Sequence, residues 1–249
     1  MEGMKYFYEL FEALPRGGPG ADEYTRFAFN TLPKPPPKQP LILDIGCGPG
    51  PQTLELSKLT NGKIIAVDNH QPFLDALMER AMNRGLARNI TPKNISMLEM
   101  NFADNTFDII WSEGALYFMG FANGLKRCRE LLKDDGYIAV TECVYLAPRL
   151  PKEVTEFFKN DYPDIKDVKG NIELIKKKGL RLLSHFTLPE FAWFDTYYVP
   201  MEKEISRLKE KYKGNEAALT TFSDLQKEIN LYKKYSSYYG YEFFVMRKR

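Results

Sequence analysis

The stretch LILDIGCGPG, residues 41–50, decides how this chain is read. Leucine and isoleucine surround a single acidic step, and glycine then takes every second position from 46 to 50. A short apolar run that closes on glycines reads as a strand buried on both faces, giving way to bare backbone at its carboxyl end. Pro51 stands where a helix would begin, a place where its missing N–H is harmless and its φ is already helical. Outward from this strand, loop and helix (51–59) the alternation continues. KIIAVD (63–68), a helix over 72–84, a short strand near 93–97, FDIIWS (107–112), a helix over 121–132 and YIAVTE (137–142) follow in order. Strands of Ile, Val and Leu alternating with helices predict a parallel sheet covered on both faces. Asp134-Asp135-Gly136 is expected to be the turn that hands a helix on to a strand.

The flanks differ from this centre. Residues 4–14 and 21–31 read as two helices around Arg16-Gly17-Gly18-Pro19-Gly20, and the prolines from 33 to 37 form a stiff connector, so 1–37 is expected to be a helical cap. After 142 come helical stretches at 151–160 and 167–178, a strand at 180–188, charged helices over 200–236 and a final strand, YEFFVMRK (241–248). Residues 190–238 therefore make a helical insertion between the last two strands, a candidate lid or homodimer contact. The whole of 1–249 is expected to be one domain.

Composition narrows the function. With 249 residues and 44% apolar content the chain can bury a full core. Lys and Arg total 35 against 33 Asp and Glu, too balanced for a nucleic-acid groove or a polybasic membrane surface. Cys47, Cys128 and Cys143 are odd in number and widely spaced, which supports neither a disulfide frame nor a thiolate metal site, and no metal is expected. The opening MEGMKYFYEL lacks a basic region followed by an apolar core, and no run of about 18 apolar residues occurs, so a cytoplasmic location is expected.

The glycine spacing then selects a ligand. A dinucleotide loop wants Gly-x-Gly-x-x-Gly, but here the glycines fall at 46, 48 and 50 and proline follows. A nucleotide phosphate loop would need Gly-Lys-Ser/Thr, which is absent. What remains, Asp44-x-Gly46-x-Gly48-x-Gly50 with an acidic strand end about twenty residues on and FDIIWSEGA after it, resembles the class I S-adenosyl-L-methionine (SAM)-dependent methyltransferases. The motif match covers roughly residues 38–145. The resemblance implies an α/β three-layer sandwich with a seven-stranded, mostly parallel Rossmann-like sheet, SAM as cofactor and S-adenosylhomocysteine as product.

Carried onto this sequence, the resemblance implies that Gly46, Gly48 and Gly50 pass under the methionine moiety, which residues without a Cβ permit. Asp44 would orient the cofactor through its ammonium group or water. Asp68 would accept hydrogen bonds from both ribose hydroxyls, with Asn69 beneath the adenine. Ser96 and Met97 would bracket the adenine ring, Ser96 standing where many members carry Asp. The Ser112 carbonyl would face the cofactor's amino group.

Methyl transfer from a sulfonium leaves a neutral thioether, so positioning is the main task and a base is needed only for an acceptor that arrives protonated. Glu113, on the loop after the fourth strand, is the candidate base, with a helix-capping role as the alternative; Tyr117 could lend a hydroxyl or a ring wall. His185 reads as a satisfied strand residue, and His70 as lying near the adenine or solvent. Phe191, Trp193, Phe194, Tyr197 and Tyr198 could wall a pocket for a flat or cationic acceptor, or simply pack a core. Arg16 could close over the cofactor carboxylate or be solvated. A methyltransferase with a small-molecule acceptor is the leading reading; a SAM-binding regulatory or scaffold protein, and a methyltransferase acting on RNA or protein, are the alternatives.

Overall fold

A computed structural model describes residues 2–33 and 36–248; Lys34 and Pro35 of the proline connector lie outside them. Two helices come first, α1 (Glu2–Glu12) and α2 (Asp22–Asn30). The alternating centre follows: β1 (Leu41–Ile45), α3 (Pro51–Leu59), β2 (Lys63–Asp68), α4 (Gln71–Asn83), β3 (Ile90–Asn94), β4 (Phe107–Glu113), α5 (Phe121–Leu131) and β5 (Leu132–Tyr145). The sheet has the order β3-β2-β1-β4-β5, and every one of these pairings is parallel. Side-chain alternation explains why strands so uniformly apolar are stable there. Leu43, Ile45 and Ile110 enter one buried cluster, while Ile42, Ile64, Ile109 and Trp111 enter the cluster on the opposite face.

The later chain adds α6 (Lys152–Asp161), a two-residue β6 (Lys166–Asp167) beside β5, α7 (Val168–Lys177) and β7 (Leu180–Thr187). A short α8 (Phe191–Trp193) passes through a π-helical stretch (Phe194–Tyr198) into α9 (Val199–Lys211); α10 (Glu216–Tyr235) and β8 (Tyr239–Lys248) complete it. The last strand lies between β5 and β7, antiparallel to both. Seven principal strands and the short β6 thus make a mostly parallel sheet with helices on both sides, as expected.

Two local expectations are corrected. The third strand lies at 90–94 rather than 93–97, because Ile95 already donates its N–H to the Asp68 carbonyl and the Ser96 hydroxyl caps a turn over Met97–Glu99. The Asp134–Gly136 turn is an excursion within β5: the register against β4 steps from Phe107–Leu132 to Ile109–Tyr137.

The cap and the insertion meet above the sheet. In α10 the Asn215 side chain caps the first turn by accepting from the Ala218 N–H, and Ala218, Phe222, Leu225, Ile229 and Tyr232 form its buried stripe. Tyr6 of α1 packs edge-on against Tyr212 and Phe222, at ring separations of 4.9 and 6.3 Å, and its hydroxyl accepts from Asn215 Nδ2. Glu9 accepts from the Tyr212 hydroxyl and pairs with Lys211. α1 and the insertion form one roof.

Candidate active site

Beyond the carboxyl ends of β1, β2 and β4, where open parallel sheets bind ligands, lies a cavity of about 970 Å³. That is the upper end of the roughly 300–1,000 Å³ usual for small-molecule sites. Its floor is the glycine loop. Gly46 has φ +67°, and a Cβ there would stand 2.3 Å from the Cβ of Ala115 and 3.3 Å from Cε of Met97. Gly48, with φ +53°, has the opposite surroundings: a Cβ on it would meet nothing within 4 Å and would enter the cavity. The loop is bare where a ligand would press against it. Gly50 does not line the cavity but turns the chain into α3 against Leu77.

Asp68 lines the cavity at the end of β2. Its two oxygens accept the backbone N–H groups of Gly48 (2.9 Å) and His70 (3.0 Å). Burial raises its carboxyl above the ordinary value, and those two N–H groups oppose the rise. Asn69, Ser96 and Met97 also line this end, Ser96 having its hydroxyl committed to the Leu98 N–H. These residues are the ones the resemblance assigns to ribose and adenine, and they lie together.

Asp44 and Ser112 lie elsewhere: both are fully buried and neither lines the cavity. Asp44 sits beneath the loop and accepts from the Thr53 hydroxyl and Gln52 amide of α3. Burial pushes it up to about 7, with the Thr53 hydroxyl opposing and the charges of Glu113 and Asp68 adding to the rise. The Ser112 hydroxyl donates to the Ile45 carbonyl and so ties the ends of β4 and β1 together.

Glu113 lines the cavity, but its carboxylate is engaged by three donors: Arg16 Nη2 at 3.0 Å, the Thr25 hydroxyl at 2.6 Å and Trp111 Nε1 at 2.9 Å. Arg16, buried rather than solvated, reaches Asp22 as well. Tyr117 lies farther in, its hydroxyl pKa raised by burial, with its ring 5.5 Å from that of Tyr162. Of the aromatic cluster, Trp193, Tyr197 and Tyr198 line the cavity, whereas Phe191 is exposed and Phe194 packs on Tyr232. His185 remains in the sheet, with Nδ1 on the Glu242 carboxylate.

Several residues that line or brace the cavity carry no signal in the linear sequence. Tyr8 of α1 stacks on His70 at 4.0 Å, while His70 Nε2 meets Glu12 at 2.8 Å. Arg80 of α4 donates to the carbonyls of Pro15 and Pro49, pinning the RGGPG loop to the glycine loop. Glu228 of α10, Asp161 of α6 and Tyr239 and Tyr241 of β8 face the deep end. An aromatic-rich opening to the insertion was the one hint that this end would be assembled from distant segments. Among the described residues no group of three or more His, Cys, Asp or Glu is placed to hold a metal ion, and no helix is long and apolar enough to cross a membrane.

Residues 42–136 match the family model described as a methyltransferase domain. Sterol 24-C-methyltransferase erg6 of Aspergillus fumigatus is 25% identical over 134 residues, 53% of this chain and 33% of that protein. The mitochondrial arginine-hydroxylase NDUFAF5 of Mus musculus is 35% identical over 100 residues, 39% of this chain and 27% of that protein. The chain thus spans only about a third of the length of these curated relatives. A SAM-dependent methyltransferase from Geobacter sulfurreducens, crystallised with S-adenosyl-L-homocysteine, superposes with a TM-score of 0.83 at 19% identity, covering 98% of both chains.

Proposed function

We propose that this chain, which has the class I SAM-dependent methyltransferase fold, is an enzyme that transfers the cofactor's methyl group to a small-molecule acceptor. One observation carries the reading: a single cavity runs from the bare glycine loop to an aromatic deep end under a roof of α1 and the insertion, room for a cofactor and a small second molecule. The cofactor supplies an electrophilic methyl on sulfur and leaves as a neutral thioether.

The chain's own residues bind and orient. Gly46 and Gly48 leave space for the amino-acid end, Asp68 receives the ribose hydroxyls, and Asn69, Ser96 and Met97 border the adenine. Asp44 acts indirectly, by buttressing the loop through Thr53 and Gln52. Glu113, already holding three donors, serves as the clamp that joins the cap to β4 rather than as a free base. Tyr117 walls the passage between the two ends. Trp193 and Tyr198 close the acceptor end, and an acceptor enclosed in this way is favoured over a polynucleotide or a protein surface.

Calorimetric titration with S-adenosylhomocysteine tests the proposal. Saturable binding is expected, and Asp68→Ala weakens it by about 1–3 kcal/mol, the usual cost of leaving buried donors unpaired. No binding would end the methyltransferase reading. A second reading, another chemistry on the same fold, is favoured by the relative named as an arginine-hydroxylase. Methyl-labelled SAM incubated with a metabolite extract separates the two, since label passes into small molecules only under the first.

A further inference from the structure

We infer that the acceptor is a small amine bearing an oxygen acceptor, recognised as its cation by the Glu228 carboxylate within the aromatic end of the cavity. This rests on the methyltransferase reading above. Three observations converge on it.

The first is charge. Glu228, Asp161 and Asp164 line the deep end, while the basic lining residues, Arg16 and His70, lie at the cofactor end and are held by Glu113 and Glu12. Glu228 meets no protein cation among the described residues. The Tyr198 hydroxyl reaches its Oε1 at 2.9 Å, and Oε2 is left without a protein partner. A carboxylate on a cavity wall without a counter-ion leaves its charge uncompensated, and a ligand that brings the positive charge would pair it.

The second is the wall. Trp193, Tyr197, Tyr198 and Tyr241 line the same space, an aromatic wall of the kind that attracts an ammonium group. The third is unmet hydrogen-bonding capacity. Trp193 Nε1 and the Tyr239 hydroxyl, on cavity-lining residues 4% and 2% exposed, are buried with no partner. Native proteins rarely leave such groups orphaned, and an oxygen on the ligand offers the acceptor that the chain does not. An anionic ligand would oppose the carboxylates, and a hydrocarbon would leave the orphans unpaired.

The same carboxylate has a second task. A protonated amine has no lone pair to offer, so the N–H bond must break with its electron pair staying on nitrogen while an O–H bond forms on Glu228. Burial pushes Glu228 up to about 7, which suits it to hold that proton.

The test is calorimetry on the full chain saturated with S-adenosylhomocysteine. The probes are 2-methoxyethylamine, 3-methoxypropylamine and 4-methoxybenzylamine, each beside the alcohol and the carboxylate of matching skeleton. At least one amine is expected to bind ten-fold or more tightly than its alcohol and carboxylate. Glu228→Gln, which keeps an acceptor for the Tyr198 hydroxyl, is expected to abolish that preference while the S-adenosylhomocysteine Kd moves less than two-fold. Amines binding no more tightly than their counterparts, or a preference that survives Glu228→Gln, would overturn the inference. Failure of the wild-type chain to bind S-adenosylhomocysteine is a separate result and removes the methyltransferase reading beneath it.

Discussion

Asp44 shows what burial does to a single residue. Fully enclosed beneath the glycine loop, its carboxyl is pushed up from the ordinary 3.8 to about 7, chiefly because burial disfavours the charge. Below pH 3.8 the folded and unfolded states are both protonated, and its contribution to stability is complete. Between that pH and about 7 the unfolded chain releases the proton while the folded one keeps it, so stability falls as pH rises. Asp44→Asn removes the titration and keeps an acceptor for Thr53 and Gln52. Thermal melts at pH 4, 5.5 and 8 are expected to show the variant gaining on the wild type across this window by up to about 4 kcal/mol, then levelling off. Parallel curves at all three values would contradict the burial argument.

At the scale of elements, the site depends on how α4 holds two loops that are far apart in the chain. Arg80 forks toward the carbonyls of Pro15 at 3.0 Å and Pro49 at 3.1 Å, and reaches Leu14 at 3.4 Å. A planar guanidinium can serve several carbonyls from one position, whereas an ammonium acts as a point charge. Arg80→Ala is expected to weaken S-adenosylhomocysteine binding by about 1–2 kcal/mol and to speed tryptic cutting in the Arg16–Gly20 loop. Arg80→Lys should restore little of either. Unchanged affinity together with an unchanged digestion rate would show that the two loops hold their places without this pin.

For the whole molecule the question is whether the roof is part of the fold or an accessory to it. The cap and insertion are separated in sequence by all of the sheet but its last strand, yet Tyr6 is buried between Tyr212, Phe222 and Asn215. Tyr6→Ala is expected to cost about 3–4 kcal/mol, in the range for emptying a large aromatic site, and to lower one common unfolding transition. Urea melts followed by far-ultraviolet circular dichroism and by tryptophan emission check it. If α1 instead melts alone and leaves the main midpoint unmoved, the roof is an accessory element.

Much of the centre was legible because its causes are local. A buried parallel strand must be apolar along its length, a loop under a ligand must lack Cβ atoms, and a helix start tolerates proline, so β1, the glycine loop and α3 could be read from residues 41–59 alone. Asp68 reads from the same pattern as the acidic end of β2. The third strand ends earlier than the pattern predicts because the Ser96 side chain caps the turn that follows it, a contact that an apolar pattern does not record. Glu113 reads from the sequence as a candidate base or a helix cap, and its partners Arg16 and Thr25 are not visible there because they come from the cap, across almost the whole first half of the chain. Glu228, Tyr239 and Tyr241 carry no such signal: each is ordinary on its own element and gains meaning only where α10 and β8 face a common cavity. The sheet and the glycine loop are legible in the linear chain because their requirements act between near neighbours. Which carboxylates are paired, which stand alone and what the roof encloses emerge on folding, because burial and charge pairing depend on segments that meet only in the folded chain.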